Sequence, residues 1–264
     1  MSKAVTKETV QTDTLNGKPT IIGGMKLHGL PMRQYAEWAE CKSVLMLRQS
    51  SLPVFYTSLP FLDALLAMDK ESIQQTGKAA GWLYRAMKAL SMALRMDDDA
   101  VDNRSIEIIP DETETKITGI RIRINGEEKI INKSLFQRMR QIILWQQGDE
   151  MPDESLNDEL LEAEQDIARQ NAPHLQYSLT DLKASIACEL NIRIKDIQEF
   201  SILEFETMRR AIDRSKKHMI CAIAEGNGAK WKGGNPHPSW CYDKETTQSG
   251  ALIAPGDFGK SKKS

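Results

Sequence analysis

The chain of 264 residues carries 35 Lys and Arg against 37 Asp and Glu, which gives a formal net charge of −2, and 41% of its residues are hydrophobic. This composition is typical of a globular protein, and it excludes a wholly disordered chain and argues against a protein that binds nucleic acid through bulk positive charge. No run of about 18 apolar residues and no signal-peptide pattern occurs, so we expect no membrane span and a cytoplasmic location.

The first part of the chain predicts a flexible arm followed by helices. Residues 1–24 are rich in Thr, Lys and Gln and show no apolar periodicity, which is typical of a mobile terminus. Residues 25–104 form a predicted helical region, because apolar residues recur at helical spacing in three segments, about 32–48, 61–68 and 81–96. Short connections between these segments favour a small helical bundle.

Residues 105–133 predict a β-hairpin element. Isoleucines alternate with polar residues in two stretches, and the second one has arginines on the opposite face. Asn125-Gly126 follows at once, and this pair is a strong hairpin signal because both residues tolerate a positive φ. The return strand contains Ile130 and Ile131, but a two-residue and a four-residue loop place them on different faces, so the register stays open.

Residues 134–225 form a second predicted helical region. Ser134 with Gln137, and Ser201 with Glu204, have the spacing of capping boxes that begin helices. The second helix is the longest, and we expect its apolar residues to form a buried stripe. That stripe comprises Phe205, Met208, Ile212, Met219 and Ile223.

An acidic segment lies between these two helices, at residues 149–166. It contains nine carboxylates and neither Lys nor Arg, while its apolar residues keep helical spacing. This pattern predicts an acidic amphipathic helix.

Residues 226–264 then lose periodicity and predict an irregular tail containing Gly, Pro and Trp. The predicted fold class is therefore mainly α: a helical bundle with a small inserted β-hairpin element and an irregular C-terminal tail.

The sequence predicts no catalytic, cofactor or metal site. It lacks a Gly-x-Ser-x-Gly elbow, the four cysteines form no Cys-x-x-Cys pair, and the glycines after residue 225 follow a helix without the ending of a phosphate-binding loop. We therefore expect reduced thiols, no cofactor and no enzyme. A remote alternative is an enzyme whose Cys221, Cys241 and His237 meet through tertiary contact.

Charged and aromatic residues are the candidate partner-binding sites. The longest predicted helix carries a basic run in its middle, which comprises Arg209, Arg210, Arg214, Lys216 and Lys217. This basic helix and the acidic helix have complementary charge, and they could pair within the chain, between subunits, or each with a separate partner. The two tryptophans of the tail either pack back on the helical body or anchor a partner. Nucleic acid is disfavoured because no aromatic residues interleave with the basic run. The candidates are Asp158, Glu159, Glu162, Arg209, Arg210, Arg214, Lys217, Trp231 and Trp240.

Four parts of the chain resemble tail morphogenesis proteins of long-tailed phages and prophages of low-GC Gram-positive bacteria. They are MRQYAEW (32–38) with LPV (52–54) and LPFLDAL (59–65); GKAAGWLY (77–84); MPDES (151–155) with the helix 159–167; and AIDR (211–214) with ICAIAEG (220–226) and WKGGNP (231–236). The resemblance covers roughly residues 25–245, but none of its motifs is a chemical signature.

This resemblance implies a non-enzymatic tail assembly chaperone that acts through protein–protein contacts in the host-cell cytoplasm. Its partners would be the tape-measure or tail-tube proteins, and a homo-oligomer is also possible. A second role that the resemblance implies equally is a structural subunit of the tail or baseplate, which would be found in the virion. The 12 methionines suit an adaptable binding surface, although they fill a core equally well.

Overall fold

The protein has a mixed α/β fold. The computed structural model describes residues 5–113, 115–124, 126–156, 163, 166–167, 178–231 and 234–241. It is 53% helical with 12% strand, arranged in one two-stranded and one three-stranded sheet. The prediction of a mainly α helical bundle with a single inserted hairpin is therefore wrong, because strands occur in two separate parts of the chain.

Two compact units divide the chain. Unit 1 comprises residues 1–178 and 194–205, and unit 2 comprises residues 179–193 and 206–264. The helices are α1 (Lys7–Leu15), α2 (Tyr35–Leu45), α3 (Val54–Thr57), α4 (Phe61–Thr76), α5 (Trp82–Ala93), α6 (Lys133–Gln146), α7 (Leu179–Leu190) and α8 (Ile202–Gly226), with 3₁₀ turns at Met32–Gln34 and Ile194–Glu199. Helix α7 belongs to unit 2, and α8 begins in unit 1 and continues into unit 2.

Ordered elements occupy most of residues 5–24, where a flexible arm is predicted. The Thr6 hydroxyl accepts the backbone N–H of Thr9 and caps α1. Strand β1 (Thr20–Ile22) then pairs antiparallel with β2 (Met25–Leu27), and Gly23 and Gly24 form the turn with φ angles of +55° and +72°. Strands of three residues are too short to show a period of two, which explains why the sequence pattern does not reveal them.

The second sheet contains β3 (Ile106–Pro110), β4 (Ile117–Ile124) and β5 (Glu127–Ile131) in that order, all antiparallel. Ile124 pairs with Glu127, so the loop has two residues, and the hairpin that Asn125-Gly126 predicts is confirmed. This register buries Ile131 beside Ile120 and leaves Ile130 exposed. The two alternating stretches and the return strand of the sequence analysis correspond to β3, β4 and β5.

Helix α5 lies at the centre of the core of unit 1. It packs against α2 and α4, and a continuous apolar surface covers most of its length. Helix α6 adds Phe136, Met139 and Ile143 to this core. Two capping predictions have different outcomes: Ser201 and Glu204 form the predicted reciprocal pair, whereas α6 is capped by Asn132 and not by Ser134.

A buried arginine joins α6 to the end of α2. Arg140 donates to the carbonyls of Leu45 (2.7 Å) and Leu47 (3.0 Å), and its guanidinium lies 3.7 Å from the ring centroid of Phe61. Burial lowers the pKa of Arg140 to about 10, and the carboxylate of Glu154 opposes part of this effect. The arginine thus satisfies carbonyls that the end of a helix leaves without partners.

Candidate partner-binding surface

In unit 2, residues 234–241 lie against one face of α8. Arg214 Nε donates to the carbonyl of Trp240 at 3.1 Å, and His218 Nδ1 lies 2.9 Å from the carbonyl of His237. A carbonyl only accepts, so His218 carries a proton on Nδ1. Cys221 is buried on the same side of the helix, as its spacing from Arg214 and His218 requires. The interpretation that the tail packs on a helix therefore agrees with the contacts of these eight residues.

The other side of α8 exposes three large apolar side chains. Met219, Ile220 and Ile223 are 55%, 63% and 58% exposed. With about 100° between successive residues, they lie within an arc of roughly 100°. We call these three residues the apolar face of α8. The prediction that Met219 and Ile223 belong to a buried stripe is wrong, because periodicity identifies residues on one side of a helix but not whether another element covers that side.

Local carboxylates neutralise much of the predicted basic run. Salt bridges within unit 2 join Arg209 to Glu206 and Lys217 to Asp213, each at 2.8 Å, and a third joins Lys216 to Glu189. Arg210 is exposed. Such surface pairs add little stability, about 0–1 kcal/mol each, but nucleic-acid phosphates would have to compete with these carboxylates for the same cations.

Both candidate tryptophans are exposed, Trp231 at 37% and Trp240 at 65%. The backbone of Trp240 is held by Arg214, so the indole ring is presented from a fixed point beside the helix. Exposed tryptophans are frequent anchors of protein interfaces because they bury a large area on binding. Within the described residues of unit 2, the large hydrophobic side chains that are exposed are these two tryptophans and the apolar face of α8.

Asp158, Glu159 and Glu162 lie outside the described residues, as do residues 157, 160–161 and 164–165 of the acidic segment. The described beginning of this segment is tied to the rest of unit 1. Asp149 pairs with Lys42 at 2.6 Å, and Glu150 pairs with Lys7.

Glu154 continues these attachments. Its carboxylate accepts the backbone N–H groups of Gln49 (3.2 Å) and Ser50 (2.8 Å). Burial raises its pKa, but these hydrogen bonds outweigh that effect and leave the pKa below its ordinary value. The described start of the segment is thus a point of attachment rather than a uniformly solvated face.

The residues of the remote Cys–His alternative make other contacts. Cys241 is exposed with its Sγ 3.1 Å from Ser239 Oγ, whereas Cys221 is buried. Within the described ranges, no hydrogen bond joins either thiol to His237. The same ranges contain no group of three or more His, Cys, Asp or Glu residues placed to hold a metal ion.

No protein-family model, curated protein or solved structure matches this chain. None of the helices in the described part of the chain is both long and apolar enough to cross a bilayer. The surface of unit 2 is therefore interpreted from its own residues: an apolar helical face, two exposed tryptophans, and cations that are largely paired.

Proposed function

We propose that this chain is a non-enzymatic phage tail assembly factor, a tail assembly chaperone that binds tape-measure or tail-tube proteins in the host cytoplasm. The sequence resemblance supports the biological setting. The observation that carries the proposal is the apolar face of α8, where Met219, Ile220 and Ile223 are each more than half exposed.

Single exposed apolar residues are common on proteins, but a contiguous apolar stripe marks a surface that meets a partner. Complete burial of each of these three side chains would contribute about 1.5–3 kcal/mol. Association itself costs an estimated 4–15 kcal/mol in lost motion, so this face alone supports weak and exchangeable binding. Weak binding suits a factor that must release its partner as a tail tube grows.

The charges around this face favour a protein partner. Lys216 and Lys217 are held by Glu189 and Asp213, so they can orient a partner but do not form a uniform cationic stripe. Met219 suits irregular partner surfaces, because its unbranched thioether adopts many shapes at little energetic cost.

Quantitative mass spectrometry of purified particles and of the infected-cell lysate tests the biological role. We expect peptides of this chain to be abundant in the lysate and depleted from finished particles. Comparable abundance in both would contradict the chaperone proposal and indicate a structural subunit of the tail or baseplate.

Co-purification with the tape-measure protein of the same tail gene cluster tests the surface. In the variant Ile220→Lys/Ile223→Lys, we expect at least a tenfold loss of co-purified partner, because two ammonium groups would have to be desolvated on binding. The matched control is Ile21→Lys/Ile130→Lys, which changes two equally exposed isoleucines of unit 1. Equal losses in both variants, or no loss in the α8 variant, would contradict binding through this face.

A further inference from the structure

A polar cleft of about 540 Å³ lies within unit 1. Its walls come from the end of α1, the segment 28–34, the residues that follow α5, and residues 199–204. The ionisable side chains that line it are Lys18, His28, Arg33, Arg95, Glu199 and Glu204. Small-molecule sites have typical volumes of roughly 300–1,000 Å³, so this cleft has the size of a ligand site.

Both acidic groups of the cleft already have partners. Glu199 pairs with Arg33 at 2.6 Å, and the carboxylate of Glu204 accepts the backbone N–H of Ser201 in the capping box. Lys18 and Arg95 differ from them: within the described residues, neither side chain has a hydrogen-bond or ion-pair partner. Accepting a backbone N–H does not neutralise the carboxylate of Glu204, so the lining has three cations against two carboxylates and a net formal charge of +1, His28 left aside.

Arg95 occupies a backbone conformation that glycine adopts more easily. Its φ is +55°, and it directly follows the end of α5, where its N–H bonds to the carbonyl of Met92 and the next N–H bonds to Ser91. This is the geometry of a helix end at which glycine is the usual residue. Arg95 thus keeps a strained backbone conformation, and its side chain lines the cleft. Residues with strained backbone conformations are concentrated at functional sites.

His28 is the third possible donor in the cleft, and its pKa responds to the charges around it. Its backbone N–H is fixed by the carbonyl of Ala93, and its imidazole is half-buried. Burial lowers the pKa of His28, and the positive charges of Arg95 and Lys26 lower it further. The imidazole thus experiences a positive field, which an anion in the cleft would cancel.

We propose that this cleft binds a small phosphorylated molecule, with Arg95 and Lys18 neutralising the phosphate and His28 donating a hydrogen bond to it. A guanidinium, an ammonium and an imidazole N–H are three separate donors, and the three or more oxygens of a phosphate can accept from all of them, whereas a carboxylate has two oxygens. The residues that line this cleft all belong to unit 1 and none of them is used in the proposed function, so the two proposals can fail separately.

Titration of the full chain with inorganic phosphate at constant ionic strength, followed by NMR of the imidazole protons, tests the proposal. We expect saturable shifts at His28 and a rise of its pKa when phosphate is bound, because a bound dianion stabilises the imidazolium. Acetate at equal ionic strength should bind at least tenfold more weakly. A linear response to phosphate, or equal binding of acetate, would overturn the proposal.

The variant Arg95→Gly separates binding from folding. It should bind phosphate at least tenfold more weakly while its Tm equals or exceeds that of the parent, because glycine relieves the positive φ. The matched control is Arg104→Gly, which removes an arginine with φ of +62° that does not line the cleft. This control should keep full phosphate affinity. Equal affinity in Arg95→Gly and Arg104→Gly would overturn the assignment of Arg95.

Discussion

The Nζ of Lys133 lies 2.5 Å from Oδ2 of Asp63, a carboxylate whose side chain is only 1% exposed. The other carboxylate oxygen, Oδ1, accepts the backbone N–H of Ile117 at 2.8 Å. A single carboxylate of α4 therefore joins the first residue of α6 to the first residue of β4. This arrangement fixes two helices and the central strand of the larger sheet relative to one another within unit 1.

Replacement of Asp63 by alanine should destabilise unit 1 by about 3 kcal/mol, because it leaves a buried N–H without an acceptor and an ammonium without its partner. Urea unfolding followed by circular dichroism measures this loss. Lys133→Met should also destabilise the protein, because it leaves the carboxylate buried and unpaired. In a double-mutant cycle, the combined loss should be smaller than the sum of the single losses. Strictly additive losses would contradict a direct interaction.

Local signals made much of this fold predictable. The hairpin at Asn125-Gly126 and the capping pair of Ser201 and Glu204 follow from residues that are close in sequence, so a single sequence contains the information. Arg140 could not be predicted in this way. A charged residue on a helix indicates a solvated position, and only the tertiary placement of the carbonyls of Leu45 and Leu47 makes its burial possible.

A second buried carboxylate determines where α5 begins. Asp69 of α4 accepts the backbone N–H groups of Gly81 (2.8 Å), Trp82 (3.0 Å) and Leu83 (2.9 Å). Gly81 itself has no side chain with which to cap the helix, so a residue from the preceding helix performs this role.

Asp69→Ala should reduce the free energy of unfolding by about 2 kcal/mol, the upper end of measured cap losses, because three donors lose one acceptor group. Asp69→Asn should lie between this variant and the parent, since one oxygen remains. Thermal unfolding of the three proteins provides the comparison. Asp98→Ala removes an exposed carboxylate and should change stability by less than about 0.5 kcal/mol. Comparable losses for Asp69→Ala and Asp98→Ala would contradict the capping role.

The candidate site was less predictable than the fold. The sequence identified Trp240 as an exposed anchor or a packed residue without choosing between them, and it assigned Met219 and Ile223 to a core. Whether Trp240, Met219 and Ile223 are exposed depends on which surfaces other elements cover, and hydrophobic periodicity does not contain that information. The cleft around Arg95 was not predicted from the sequence, because its walls come from segments that are distant in sequence.

Stability should fall at mildly acidic pH because of His28. Its folded pKa lies below the ordinary value of 6.5, so the unfolded chain binds more protons in the interval between the two values. The stabilising contribution is therefore complete above pH 6.5 and is lost as the pH falls through the folded pKa.

Urea unfolding at a series of pH values from 8 to 5 tests this expectation in the parent and in His28→Gln. The variant should lose less stability on acidification, and the two curves should diverge below pH 6.5. The two proteins differ only at residue 28, so the contributions that they share cancel in the difference. Parallel curves would show that His28 does not titrate differently in the folded and unfolded states.

The four thiols should react in two classes. Cys188 and Cys241 are exposed, whereas Cys41 and Cys221 are buried. Burial, assisted by the negative charge of Glu40, raises the pKa of the Cys41 thiol to about 11. At pH 8 only about one Cys41 side chain in a thousand is then the reactive thiolate. Iodoacetamide should therefore add two groups rapidly to the native protein, at Cys188 and Cys241, and four groups in urea. Peptide mapping identifies the sites, and rapid native labelling of Cys41 would contradict its placement in the core.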